Sequence, residues 1–571
     1  MLLRLNLLAA VLSAALLGAA SSVDKRQSFP RMVFCHFMIG IESDRTSSAD
    51  YDADMIRAKS YGIDAFALNM YVSLNPPLDV RSDRDAQRRF VFFLNARPTT
   101  NQSVGNPVDT YTDQQLGFAY DSANRNGMKV FISYDFNWWN TDQGAQIGTH
   151  MAGYAALPAQ LFINGAAFVS SFAGDGVDVN AMRSAAGRPI MFVPNFHPGQ
   201  GNFGAIDGAL NWVGWPSNGN NKAPTPGANV SVAAGDSSYK SALGGKPYLA
   251  PASAWFSTHY GPEFTRWNDL LALKPEFVEI VTWNDYGESH YVGPLSSKHQ
   301  DDGASKWVND MPHNGWLDMA KPFIAAYKAG ALSPNSFITS DQIIYWYRPT
   351  LSTLNCDATD TTANTPANNG SGNYFEGRPD GWQTMQDAVF VVMLLTSAGT
   401  LTVNSGGQTH TFNAPAGASS FTVPMAVGQQ SFALARNGVN VLAANSLKDI
   451  SNVCPCGLYN FNPYVGSPRR GSSRSNLLPI ALPPDFRAAV HRPWRTAHWS
   501  ADHYTPGTFT LTTTPPTTTP PITTPPTTTP PTQTGSCTIT ASEQIRPTNC
   551  LQPGCVWQGP AGQGSPDHCD G

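Results

Sequence analysis

Between residues 30 and 335, short apolar runs alternate with helical patterns, and this alternation constrains the fold more than any other feature of the chain. Strands are predicted at Met32–Phe37, Ile63–Asn69, Lys129–Asp135, Phe168–Phe172, Pro189–Pro194, Ala209–Trp212, Tyr248–Pro251 and Phe277–Trp283. Helices are predicted at Asp52–Tyr61 and Asp113–Asn126, closed by Gly62 and Gly127, and again at Glu263–Leu273 and Trp316–Lys328. Strands that read as unbroken apolar runs are covered on both faces, as in a parallel sheet. Eight of them interleaved with helices over roughly 300 residues suit a (β/α)8 TIM barrel of the α/β class. A doubly wound sheet would place a Gly-rich phosphate loop after the first strand, and Cys35-His36-Phe37-Met38 is not one.

Beyond residue 335 the period changes. Ile343–Tyr347, Val389–Leu395, Gly399–Val403, His410–Phe412, Ser420–Val423 and Gln430–Leu434 are short strands between Gly, Asn and Pro turns. That spacing predicts a β-sandwich accessory domain over 336–465. Residues 466–507 carry Arg469, Arg470, Arg474, Arg487, Arg492 and Arg495 without a clear period. They read either as disorder or as a misread stretch of the gene. Residues 508–534 are a disordered Thr/Pro-rich linker, and 535–571 a small four-cysteine module.

The N-terminus carries an address. Arg4, the apolar run Leu5–Leu17 and the small residues after it read as a signal peptide over 1–20. The run is shorter than the ~20 residues of a spanning helix, and no later segment qualifies. Lys25-Arg26 closes a short propeptide, 21–26, at a dibasic site. Secretion to the medium or the cell wall is therefore expected. Sequons at Asn101, Asn229 and Asn369 agree with export. So does the expectation that Cys356, Cys454 and Cys456 and the four tail cysteines form disulfides rather than metal sites, with Cys35 a buried thiol. A net charge of -5 excludes a basic nucleic-acid footprint. No paired-His motif, zinc spacing or Gly-x-Ser-x-Gly elbow occurs, so no metal, cofactor or serine nucleophile is expected.

Polar and aromatic residues gather where the barrel strands end: His36, Asn69, Asp135, Asp175, Asn195, His197, Trp212, Trp255 and Asp285. Active sites of such barrels sit at that face. The sharpest cluster is Thr282-Trp283-Asn284-Asp285-Tyr286-Gly287-Glu288-Ser289-His290-Tyr291, with two carboxylates three residues apart among aromatics. Breaking a glycosidic bond takes two carboxyl groups, one to protonate the leaving oxygen and one to activate water or attack carbon. The bland alternative is that Asp285 and Glu288 are loop charges that cap or pair locally. Asp135 and Asp175 stand in reserve as catalytic carboxylates. Trp138, Trp139, Trp212, Trp215, Trp255, Trp283, Tyr286 and Tyr291 offer flat faces for sugar rings. His36, Asn69, Asn195, His197 and His290 offer hydrogen bonds to sugar hydroxyls.

Ordered blocks then carry a resemblance. Tyr134-Asp135-Phe136-Asn137-Trp138-Trp139, Pro194-Asn195-Phe196-His197-Pro198, Trp212-Val213-Gly214-Trp215-Pro216, Thr282 through Ser289 and Cys454-Pro455-Cys456-Gly457-Leu458-Tyr459-Asn460-Phe461 resemble glycoside hydrolase family 71, the fungal endo-α-1,3-glucanases or mutanases. The resemblance spans about Phe34 to Pro463. It implies a (β/α)8 barrel with a sandwich, an inverting endo-acting mechanism and insoluble α-1,3-glucan, a polysaccharide, as the partner. It puts the catalytic pair on Asp285 and Glu288. We expect Asp285 to be the base, Glu288 the acid, and the enzyme a monomer. A glucan-remodelling transglycosylase and a non-catalytic wall-glucan-binding protein are the rival readings.

Overall fold

The computed structural model describes residues 29–70, 110–215, 232–255, 263–295, 305–360, 382 and 385–468. The signal peptide, propeptide, sequons, Thr/Pro linker and four-cysteine module lie outside the described residues, as does nearly all of 466–507.

The first half is a mixed α/β unit. In chain order it runs β1 (Met32–Met38), α1 (Asp52–Ser60), β2 (Ala65–Met70), α2 (Thr110–Asn126), β3 (Lys129–Asp135), α3 (Gly144–Tyr154) and β4 (Phe162–Ile163). There follow β5 (Ala166–Phe172), α4 (Val179–Ala186), β6 (Ile190–Pro194), β7 (Ala209–Leu210), α5 (Val232–Leu243), β8 (Tyr248–Ser253), α6 (Glu263–Leu273) and β9 (Phe277–Val281). Two further helices, α7 (Ser305–Val308) and α8 (Asn314–Ala329), close the unit. Eight of the nine strands pair in parallel in the order β6-β5-β3-β2-β1-β9-β8-β7, and the two-residue β4 lies antiparallel on β5. The sheet curls, and its two ends meet through hydrogen bonds. Asp207 N donates to Phe192 O (3.0 Å), and Asn195 Nδ2 donates to Leu210 O (3.1 Å).

The strand reading of this unit holds to within two residues at each end: Pro189–Pro194 begins at Ile190, Ala209–Trp212 shortens to Ala209–Leu210, and Phe277–Trp283 ends at Val281. Trp212 and Trp283 therefore lie in loops just past their strands. Gly62 and Gly127 take left-handed φ of 90° and 62°, as expected of the residues that stop α1 and α2.

Side-chain alternation splits each strand between two cores. Val33, Cys35 and Phe37 of β1 point outward to the helices, where they meet Phe66, Leu68, Val130 and Ile132. Phe34 points inward and packs with Phe131, Phe168 and Phe277, the ring centroids standing 4.7–5.6 Å apart. These four rings plug the floor of the curled sheet, and losing one would cost about 3–5 kcal/mol.

The second half has two four-stranded antiparallel sheets. β10 (Gln342–Tyr347), β11 (Ala388–Leu395), β14 (Gly417–Pro424) and β17 (Tyr464–Gly466) form one, in the order β14-β11-β10-β17. β12 (Gly399–Ser405), β13 (Gln408–Ala414), β15 (Gln430–Arg436) and β16 (Val439–Asn445) form the other, in the order β13-β12-β15-β16. Ile343, Tyr345, Val389, Val391 and Met393 share a core with Leu401, Val403, Phe432 and Leu434 of the second sheet. The opposite face of the first sheet, with Ile344, Trp346, Val392 and Leu394, belongs to the core of the α/β unit beside α8. Burial on both faces explains why β10 and β11 read as solid apolar runs. Cys356 and Cys454 form a disulfide across this region, and Cys35 is a buried thiol.

Candidate active site

The loop that leaves β9 turns back on itself. Thr282 N donates to His290 O (3.1 Å), Val292 N to Thr282 O (3.0 Å) and Gly293 N to Trp283 O (2.8 Å). Trp283 N donates to His36 O (2.7 Å), which fastens the loop to the end of β1. Two buried side-chain links hold it from behind. Trp283 Nε1 donates to Asp54 Oδ1 (2.9 Å), and Asn284 Nδ2 donates to Glu42 Oε1 (2.5 Å) and Met38 O (3.0 Å). Arg45 joins the two carboxylates, donating to Glu42 Oε2 (2.6 Å) and Asp54 Oδ2 (2.7 Å).

Asp285 and Glu288 stand at the front of this loop. Their side chains are 17% and 19% exposed, while His290 beside them is fully buried. The carboxylates are what solvent or a sugar meets first. His290 Nε2 lies 3.4 Å from Asp285 Oδ2 and 3.1 Å from Glu288 Oε2. Burial disfavours a charged imidazole, but hydrogen bonds and charge from the two carboxylates outweigh it and push His290 up to about 9. His290 is therefore an imidazolium at neutral pH. Burial, and then the Asp285 charge, raise the Glu288 carboxyl above its usual range, against the pull of His290 and His36. Asp285 Oδ1 also accepts Glu288 N (3.3 Å), the local cap that the bland reading of this pair anticipates.

One ligand atom from each of Asp285, Glu288 and His290 falls within 4.8 Å of the other two, a spacing that could admit a cation. The imidazolium balances one of the two carboxylates, and while protonated it offers no lone pair to a metal. The same spacing bears on mechanism, because the carboxyl groups of inverting pairs stand roughly 6.5–9.5 Å apart.

The remaining expected residues fall into three groups. His36, Asn69, Asp135, Trp212 and Trp215 join the carboxylates. Trp212 lies edge-on to His36 with centroids 4.6 Å apart, and Trp212 and Trp215 flank His290 at 6.4 and 5.8 Å. Asn69 Nδ2 donates to Asp135 Oδ2 (3.3 Å), and Asn137 N donates to Asp135 Oδ1 (2.9 Å). Burial pushes Asp135 up to about 6, against those two bonds and the His36 charge, with Asp285 adding to the rise.

Asp175 and His197 form their own pair at the ends of β5 and β6. Asp175 accepts His197 N (2.7 Å) and faces Nδ1 at 2.5 Å, and the His197 side chain is 46% exposed.

The third group makes its contacts within the surrounding framework. The Asn195 amide donates to Leu210 O and Tyr239 Oη, both at 3.1 Å. Trp139 packs edge-on to Tyr134, and Trp138 lies half-buried against the same core. Trp255 stacks on Trp316 at 6.2 Å. Tyr286 and Tyr291 are buried together, and Trp283 is pinned by Asp54.

The sequence reading missed Glu279, which faces His36 from β9 at 2.7 Å inside the curled sheet. Its only signal was a lone carboxylate in an otherwise apolar strand.

Comparison with known proteins places the chain in a class. The model of glycosyl hydrolase family 71 matches residues 29–77 and 103–477, and the chain belongs to that family of glycoside hydrolases. Its relatives include a mutanase of Penicillium rubens, 37% identical over 82% of this chain and 95% of the relative. The glucan endo-1,3-alpha-glucosidase agn1 of Schizosaccharomyces pombe is 30% identical over 76% of this chain and 94% of its own. An ascus wall endo-1,3-alpha-glucanase of the same yeast is 26% identical over 76% and 96%.

Proposed function

We propose that this enzyme hydrolyses α-1,3-glucosidic bonds of fungal wall glucan or a related insoluble α-1,3-glucan, acting within the chain and with inversion. One observation carries the reading: two solvent-reaching carboxylates, Asp285 and Glu288, share one buried imidazolium between two tryptophans at the C-terminal ends of the parallel strands. The named activities of the family relatives supply the substrate. Strand order, together with the bonds joining β6 to the β7 region, supports a closed (β/α)8 barrel, and the shared apolar core supports a β-sandwich packed on it.

Glu288 is the acid. Burial and the Asp285 charge raise its carboxyl above the usual range, which favours the protonated form that an acid needs. Asp285 is the base that aims a water at the anomeric carbon. Without sugar, His290 draws both carboxyls together. A bound glucose unit and the attacking water part them to the inverting separation. Trp212 and Trp215 give the sugar an apolar wall, and Asp135 with Asn69 receives its hydroxyls. Asp175 and His197 extend the cleft toward neighbouring units. Secretion rests on the pattern of residues 1–26 and on these wall-acting relatives. No helix among the described residues is long and apolar enough to cross a membrane. The enzyme acts as a monomer.

Asp285→Asn and Glu288→Gln test the assignment. Each should lose nearly all release of reducing sugar while melting near the wild-type temperature. Near-normal turnover in Asp285→Asn would overturn it. Product chain lengths over time separate hydrolysis from transfer, since transfer makes oligomers longer than the starting one.

A further inference from the structure

Below the two carboxylates lies a buried carboxylate–imidazole pair that the reaction as described does not use. Glu279 sits in the middle of β9, with Phe34 of β1 opposite it in the register. Its Oε1 meets His36 Nδ1 at 2.7 Å, and both side chains are fully buried. The alternation along β9 turns Glu279 inward, above the ring plug that includes Phe277.

The fold has no need of a charge there. An apolar residue of similar volume is often neutral or better in place of a buried ion pair. This pair is also incompletely satisfied. Among the described residues, His36 Nε2 and Glu279 Oε2 are buried without a hydrogen-bond partner, and so are Asn69 Oδ1 and Ser133 Oγ on the next two strands. Four unmet polar atoms on the contiguous strands β9, β1, β2 and β3 collect under the site and not elsewhere in the sheet interior. The charge of His36 reaches both Asp135 and Glu288 and favours their ionised forms. Trp212 shields its edge from the mouth.

We propose that Glu279 is a positioning residue for the glycosidase reaction: its carboxylate holds His36 Nδ1, so that the imidazole keeps one orientation beneath the acid and Asp135. His36 then steers the site from below rather than touching sugar. The groups that face this pair are Asp135 at the end of β3 and Asp285, Glu288 and His290 in the loop after β9. Removing Glu279 frees the His36 ring to turn, and the groups above it lose a fixed neighbour.

The inference rests on Glu288 being the acid, and the test keeps the two apart. Rates on a soluble α-1,3-gluco-oligosaccharide are measured against pH for the wild type, Glu279→Gln, Glu279→Asp, His36→Gln and the Glu279→Gln/His36→Gln double variant. Glu279→Gln should melt near the wild type. Its kcat should fall about tenfold with KM little changed. Glu279→Asp should recover part of the rate, because a carboxylate again meets His36. The double variant should be no slower than His36→Gln alone, because Glu279 acts only through His36.

A kcat of Glu279→Gln equal to the wild type would overturn the proposal, and so would losses that add in the double variant. If Glu279→Gln does not fold, Glu279→Asp carries the same comparison: an unchanged kcat rejects the role, and a lowered kcat with KM kept supports it. High activity in Glu288→Gln would remove Glu288 as the acid. The Glu279–His36 cycle still scores Glu279 in that case, because it is read without naming the carboxyl above it.

Discussion

His290 Nε2 lies 3.1 Å from Glu288 Oε2, and the imidazole is fully buried while the carboxylate reaches solvent. The same nitrogen stands 3.4 Å from Asp285, so one buried cation serves both carboxyls. His290→Gln should lower kcat/KM on the order of 100-fold, the scale for losing one preorganised donor at an active site. It should also change stability with pH. The folded-state value of about 9 lies above the unfolded value of about 6.5. The stabilisation from His290 is then full below about pH 6.5 and lost as the pH rises through about 9. Melting temperatures of wild type and variant should converge over that window. A constant gap from pH 6 to 10 would show that His290 is not the titrating partner.

Stereochemistry tests the opening of the pair. The nearest oxygens of Asp285 and Glu288 lie within 4.8 Å in the absence of sugar, tighter than an inverting pair in action. Proton NMR of the first products should show β reducing ends. α reducing ends would mean that the carboxyls work at their resting distance, with Asp285 attacking the sugar directly.

Gly293 measures how firmly the loop carrying Asp285 and Glu288 is seated. A Cβ there would stand 2.6 Å from Trp283 O and 2.8 Å from the indole Nε1 and Cε2. Trp283 is fixed by Asp54 and precedes Asn284 and Asp285, so it cannot retreat without moving the pair. Gly293→Ala should cost about 1–3 kcal/mol and most of the activity. Wild-type melting and turnover would show that the loop yields.

The Cys356–Cys454 disulfide closes a separation of 98 residues. Cys356→Ser should destabilise the region of the antiparallel sheets by about 2–4 kcal/mol. Activity at low temperature should be kept, since the disulfide joins Cys356 to Cys454 and not to the loop after β9. Denaturant unfolding with and without reductant checks this, and equal midpoints would contradict it.

What the sequence made legible follows from burial. Strands covered on both faces, such as Ile190–Pro194 or Ala388–Leu395, announce themselves as apolar runs. β16 alternates half-exposed residues, and β17 is three residues long; neither rises above its surroundings. Helix α3 carries three glycines, which blur its helical pattern. At the site, the Asp285–Glu288 spacing could be read because both carboxylates lie in one loop. The links of Trp283 to Asp54 and of Asn284 to Glu42, and the Glu279–His36 pair, could not, because each joins residues about 230 to 245 positions apart. A tryptophan beside a catalytic motif looks the same in sequence whether it stacks on sugar or, like Trp283, is bolted to a helix by its indole nitrogen.

The most direct test of the account is reducing-sugar release from insoluble α-1,3-glucan, β-1,3-glucan and starch by the wild-type enzyme and by Asp285→Asn. Release from α-1,3-glucan alone, abolished in the variant, is the predicted result. Release from another glucan, or equal release by both proteins, would contradict it.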